Sequence, residues 1–133
     1  MAELTLEIVT PERRVATLQA DEVRAPGVLG GFGIRKDHTP FMSQLQPGRL
    51  TVVDGAREVH YAIGGGFLQV ADNKVMVLAD SAEESQEIDV ERARRAFAEA
   101  TERLRSLAAG DENHPVEAAR VRRATARLEV AGR

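Results

Sequence analysis

Residues 63–96, IGGGFLQVADNKVMVLADSAEESQEIDVERARRA, hold the one change of hydrophobic period in this 133-residue chain. Phe67 to Val70 and Val75 to Leu78 are short apolar runs separated by Asp72-Asn73, a pair suited to positive φ at a hairpin tip. From Asp89 onward the apolar residues recur every three or four positions, which is a helical spacing. The glycines at the front of the stretch raise the question of a phosphate-binding loop. Gly64-Gly65-Gly66 lacks the lysine and hydroxyl residue such a loop requires, and it runs into a strand, so no helix N-terminus follows to hold an anion. Its expected role is a bulge, a corner or a close backbone approach within a sheet.

Toward the N-terminus the strand pattern continues through Leu4, Leu6 and Ile8, then Val23 and Ala25, Leu50 and Val52, and Val59, Tyr61 and Ile63. Pro26-Gly27, Pro47-Gly48 and Asp54-Gly55 punctuate these runs as turns. Short strands so spaced predict a sandwich or barrel. Toward the C-terminus, Ala93, Ala96, Phe97, Ala100, Leu104 and Leu107 fall on one helical face. After the Ala109-Gly110 break, Ala118, Val121, Ala124, Thr125, Leu128 and Ala131 repeat the pattern. Two antiparallel helices are expected, the first capped by Asp89, with acidic residues crowding its N-terminus where exposed N–H groups favour them. Their seam is mostly alanine, so each contact removes little area at about 25 cal/mol per Å². The reading is a stable sheet unit carrying a detachable helical arm; the alternative is a hairpin packed permanently on the sheet.

Composition narrows the function. Hydrophobic residues are 43%, charged residues 29% and aromatics 4%, and cysteine is absent, so disulfides, thiolate metal sites and a cysteine nucleophile are excluded. The acidic, alternating N-terminus is unlike a leader, and no run approaches the roughly 18 apolar residues of a membrane span. A net charge of −3 argues against non-specific binding to nucleic acid. His38, His60 and His114 have no ligand-spaced partners, no serine sits in a nucleophile elbow, and the second glycine cluster, Gly27 to Gly33, lacks the strand-to-helix setting of a dinucleotide site. No catalytic constellation is present, and no metal is expected.

The tail departs from the acidic whole. Between Pro115 and Arg133 five arginines, Arg120, Arg122, Arg123, Arg127 and Arg133, stand against Glu117 and Glu129, a local charge of +3. Such a helix is either a solvated face or a surface for an acidic partner or an anionic ligand, to which forked guanidinium donors are suited. Arg123 and Arg127 share a face. In an antiparallel hairpin they come down opposite Asp89, Arg92 and Ala93, where the small alanine could leave room for a phosphate-bearing ligand.

The chain resembles the epsilon subunits of bacterial F-type ATP synthases along nearly its whole length. The resemblance is carried in order by Pro26-Gly27-Val28-Leu29-Gly30, Gly33-Ile34, His38-Thr39-Pro40, Leu45 with Pro47-Gly48, Gly64 to Val70, Val77 to Asp80, and Glu87-Ile88-Asp89-Val90-Glu91-Arg92-Ala93. It implies a β + α fold: a ten-stranded N-terminal β-sandwich, residues 1–84, followed by a C-terminal antiparallel αα-hairpin, residues 85–133. It also implies a non-catalytic rotor-stalk subunit whose sandwich holds the gamma subunit and the c-subunit ring, coupling proton translocation to ATP synthesis. The arm would brake ATP hydrolysis by bringing the basic residues Arg120, Arg122, Arg123 and Arg127 near the catalytic beta and alpha subunits. Ile88, Asp89, Arg92 and Ala93 match a family motif for regulatory MgATP, with Glu83, Arg123 and Arg127 as further ligands; no cofactor is otherwise required. The ring-facing surface would include Gly31, Phe32 and His38, although Phe32 packed under its loop is an equal reading. Where the family commonly has Pro-Gly before that histidine, this chain has Lys36-Asp37. Location would be peripheral, on the cytoplasmic face of a bacterial plasma (inner) membrane, with membrane association indirect. The rival reading is a stand-alone ATP-sensing module, and co-purification with gamma separates the two.

Overall fold

Alternation becomes pleat from Leu4 onward. The computed structural model describes residues 3–132 and builds eight strands: β1 (Leu4–Val9), β2 (Arg14–Ala20), β3 (Glu22–Gly27), β4 (Gly30–Arg35), β5 (Phe41–Asp54), β6 (Arg57–Ala71), β7 (Lys74–Ala79) and β8 (Ala82–Glu84). One 3₁₀ turn (Ser85–Glu87) leads to helices α1 (Val90–Ser106) and α2 (His114–Val130). Met1, Ala2 and Arg133, the last of the five tail arginines, lie outside the described residues.

Strand order is β2-β1-β7-β6-β5-β3-β4, with β8 also pairing β6. The long strands β5 and β6 pair along their length and belong to both layers: β7 pairs Gly66–Ala71 of β6, while β8 pairs Tyr61, Ala62 and Ile63. Between the layers lies an aliphatic core in which Leu4, Leu6, Ile8, Val23, Ile34, Leu50, Leu68, Val75 and Val77 are fully buried. The expected strand count of ten is corrected to eight. Pro47-Gly48, read as a turn, lies inside β5, and the apolar runs on either side of the triple glycine belong to the single strand β6.

Gly65 and Gly66 have φ of +103° and +138°, which a side-chain-bearing residue rarely adopts. A Cβ on Gly66 would overlap the Leu78 carbonyl of β7. The glycine run is therefore the corner at which one strand passes between layers, and Asp80 N donates to Gly65 O at 2.9 Å across it.

Asp72 and Asn73, at φ 51° and 61°, form the β6–β7 tip as expected. Asn73 also fastens the Lys36-Asp37 loop. Its Oδ1 accepts from Asp37 N at 2.6 Å and its Nδ2 donates to Asp37 Oδ1 at 3.3 Å. Asp37 itself takes φ 62°, a glycine-like conformation that aspartate tolerates.

The arm is folded down. α2 lies against β5 and β6, and α1 packs on α2. Ala93 and Ala100 of α1 and Ala124 of α2 are buried, as the alanine seam predicted, whereas Phe97 is 36% exposed. Helix α2 has a second buried side that its alanine-rich pattern concealed: Ala126 is 3% and Val130 0% exposed, and Val130 clusters with Ala62 of β6 and Ile88. No described helix is long and apolar enough to cross a membrane.

Tyr61, the sole tyrosine, lies in β6 close to this junction. Burial first, then the Glu84 and Glu87 carboxylates, raise its phenol above the ordinary value of 10.0. Below that value the phenol is neutral in both states and has no effect on stability. Above it the unfolded chain ionises first, so stability falls as pH rises toward the folded pKa. Tyr61→Phe should remove this alkaline loss, read as a shallower fall in urea midpoint between about pH 9 and 11 than wild type shows. Lys36, exposed and held by Glu3, is also raised, but it is common to both proteins and cancels in that comparison.

Candidate functional site

Where the arm leaves the sandwich, a cavity of about 580 Å³ opens between the β1–β2 turn, the strand following β7, and the first turns of α1. Its volume falls in the range of small-ligand sites. Asp89 builds the α1 side. It has extended dihedrals and its Oδ1 accepts from Arg92 N at 3.0 Å, the N-cap expected from its position. That bond sets Arg92 one turn into the helix at the cavity wall, beside the buried Ala93. From the other helix Arg127 reaches in, and its Nε donates to Glu83 Oε1 at 2.6 Å, joining residues 44 apart in sequence.

Of the seven residues expected at a nucleotide site, Glu83, Asp89, Arg92, Ala93 and Arg127 line this one cavity. Ile88 and Arg123 lie beside it. Ile88 is 8% exposed and serves the small cluster with Ala62 and Val130. Arg123 borders an adjoining crevice with Arg127, Ala62 and Ile63, and its aliphatic stem stands over Gly64, where an added Cβ would lie 3.0 Å from Arg123 Cδ. The Ser81 hydroxyl would lie nearer still, so the first glycine of the run makes room for Ser81 and the arm while the third makes the corner. Thr10, Glu12, Arg13 and Val15 also line the cavity. Nothing in their local sequence marks them, because the β1–β2 turn reaches the arm only through the tertiary fold.

The acidic residues here are mostly engaged. Glu83 holds Arg127, Asp89 caps the helix, and Glu87 Oε1 accepts from Glu84 N at 3.3 Å. A larger recess of about 990 Å³ is lined by residues of β3 to β6, but it is more open and Arg24 is already paired with Glu22 and Glu58, while His60 Nε2 lies 3.5 Å from Glu58 Oε1. Thr51 Oγ1 meets His60 Nδ1 at 2.9 Å in the same network.

The four arginines expected to form a basic surface are divided in the folded arm. Arg127 and Arg123 face the sandwich, Arg120 pairs with Glu117 at 2.9 Å, and Arg122 is exposed.

The expected ring-facing residues come from the start of β4, which holds Gly31 and Phe32, and from the loop after that strand, which holds His38. Phe41 joins two of them, with ring centroids 5.3 Å from Phe32 and 5.5 Å from His38, both edge to face. Gly31 is exposed, while Phe32 is half-buried and packs against the core. The β3–β4 tip supplies residues not singled out for this surface: Leu29 is fully exposed and Val28 is 45% exposed. A further apolar patch lies on the outer face of the β5–β6–β7 layer, where Met42, Phe67 and Leu78 are 64%, 51% and 48% exposed and Phe67 is the register partner of Leu78.

Comparison with known proteins agrees along the whole chain. Residues 3–85 match the family model described as ATP synthase, Delta/Epsilon chain, beta-sandwich domain, and residues 86–132 match that of its long alpha-helix domain. The chain is 68% identical over 130 residues to an ATP synthase epsilon chain of Anaeromyxobacter sp. (strain K), covering 98% of each. It is 50% identical over 131 residues to that of Myxococcus xanthus, covering 98% of this chain and 96% of the relative. Among solved structures it is similar to a chain of the Euglena gracilis mitochondrial ATP synthase, OSCP/F1/c-ring, with a TM-score of 0.80 at 25% identity, covering 97% of this chain and 81% of that one. The fold is shared as well with a chain from the Tetrahymena thermophila mitochondrial ATP synthase central stalk and c-ring, at a TM-score of 0.58 and 17% identity over 95% and 92% of the two chains.

Proposed function

The chain belongs to the ATP synthase delta/epsilon family, and on that premise we propose that it is a non-catalytic subunit of the rotating central stalk, with its sandwich as the coupling element and its helical hairpin as a regulatory arm. The observation that carries the regulatory part is the small size of the side chains at the junction between the two. Where α2 lies against β5 and β6, the contact includes the cluster of Ala62, Ile88 and Val130 and the Arg123 stem over Gly64, and among the described residues the Arg127–Glu83 ion pair ties the arm to the sandwich. Burying Val130 contributes about 1.5–3 kcal/mol. The partly exposed Arg127–Glu83 pair adds at most about 1 kcal/mol. A difference of a few kcal/mol can be reversed by a ligand or a partner that prefers one state.

In the folded state the cavity brings Arg92 together with Arg127, so an anionic ligand bound there holds the arm down; MgATP is the ligand in this reading. Released, the arm frees Arg123 and Arg127 from the sandwich, and with Arg120 and Arg122 they face the acidic surfaces of the catalytic beta and alpha subunits and brake hydrolysis. Residues 1–84 keep hold of the rotor throughout. The Met42–Phe67–Leu78 patch is the surface for gamma, since exposed apolar side chains grouped on one face mark a protein contact. Leu29, Gly31, Phe32 and His38 form the end that meets the c ring. The subunit lies peripherally on the cytoplasmic side of the bacterial plasma membrane, held there by its partners as proton flow turns the rotor.

Phe67→Glu tests the docking surface. Phe67 points away from the core, so the variant should fold with an unchanged melting temperature yet fail to co-purify with gamma. Undiminished co-purification would remove the patch from the interface and lend weight to a module acting alone in solution.

A further inference from the structure

We infer that the sandwich itself supplies a residue to the arm's ligand site: Arg13, in the β1–β2 turn, takes part of the anionic load opposite Arg92, so that a bound nucleotide bridges the arm and the sandwich directly. This rests on the reading of the 580 Å³ cavity as a site for MgATP.

Three observations point there. Arg13 and Arg92 line the same cavity from different elements, one on the turn between β1 and β2 and the other on α1. Glu83 already holds Arg127, and among the described residues no carboxylate forms an ion pair with Arg13 or Arg92. A guanidinium with no carboxylate partner can take an incoming phosphate without first breaking a salt bridge, whereas Arg127 must share or surrender Glu83. The turn is also rigid at this point through its backbone: Thr10 N donates to Arg13 O at 2.9 Å and Thr10 Oγ1 to the same oxygen at 3.3 Å. Both bonds use the Arg13 carbonyl and leave its side chain unconstrained.

The consequence is mechanical. A ligand held by the two helices and Glu83 would touch the sandwich only at β8, the strand that leads directly into the arm. A ligand that also contacts Arg13 is lost when the arm swings out, so its whole binding energy through that contact favours the folded arm. The remaining unpaired acidic group on the turn, Glu12, suits a nucleotide that enters as its magnesium complex or presents its ribose hydroxyls on that side.

The test is calorimetric titration of the full-length chain with MgATP, for wild type, Arg13→Ala and Arg13→Lys. Arg13→Ala should weaken binding by about tenfold or more, and Arg13→Lys should recover part of the loss, since lysine keeps the charge without the fork. Thermal unfolding of the ligand-free variants should match wild type, because the turn is held by backbone bonds. Addition of MgATP to wild type should also slow hydrogen exchange at residues 10–15. Equal affinity of Arg13→Ala and wild type, or unchanged exchange in the turn under saturating MgATP, would overturn the role of Arg13 and leave the helical site standing. Failure of wild type to bind MgATP at all would remove the site and this contact with it.

Discussion

A chain ending after Ser85, assembled into the complete ATP synthase, is expected to raise ATP hydrolysis several-fold while proton-coupled synthesis survives. The physical basis is that the two halves keep separate cores. The large cluster that holds the sandwich together is drawn from β1 to β8, and none of its buried members comes from α1 or α2. Removing the helices leaves Ala62 without its cover, a modest loss beside the fully buried aliphatic core. The rotor contacts assigned to the sandwich, at Met42, Phe67 and Leu78 and at the β3–β4 tip, lie outside the deleted segment. Hydrolysis and synthesis should therefore separate. Hydrolysis unchanged by the deletion would leave the basic helix without a braking role, and loss of synthesis together with loss of assembly would mean that the arm is needed to hold the rotor.

The second large effect is on stability. Gly66→Ala should cost about 3 kcal/mol or more and lower the melting temperature by roughly 10 °C. Two penalties act at one position: φ of +138°, open essentially to glycine alone, and a Cβ driven into the Leu78 carbonyl and toward Ala79 Cα, 2.8 Å away. Both obstacles are backbone, so no side-chain rotation relieves them. Gly55→Ala is the internal control. It shares a positive φ, +63°, but a Cβ there meets nothing within 4 Å, so only about 1 kcal/mol is expected. Thermal unfolding of the two variants decides the matter. If both melted together, the corner would be softer than its geometry requires, and the triple glycine would need some role other than passing β6 between layers.

Much of the arm was legible before any coordinates. Asp89 reads as an N-cap because a short acceptor ahead of an amphipathic run has one good use, and Asn73 and Gly55 read as turn residues because positive φ selects few residue types. These are local properties, determined within a few residues. The strand count was not legible, since Pro47-Gly48 and Gly64 to Gly66 carry the same composition whether the chain turns back or bends and goes on. Nor was the second buried side of α2: alanines at Ala118, Ala124 and Ala126 leave a helix with nearly equivalent faces, and the face that carries Val130 was chosen by the sheet beneath it.

The sequence by itself determined a strand-built half, a helical half and the place where one gives way to the other, because backbone sterics and side-chain periodicity act over single turns and pleats. Only the tertiary structure decided which residues share the cavity. Arg13, Glu83, Arg92 and Arg127 come from the β1–β2 turn, β8 and two helices, and their meeting depends on strand order and on which side of an alanine helix the sandwich buries. Those choices are made by the sum of many distant contacts, none of which leaves a mark on the residues nearby in the chain.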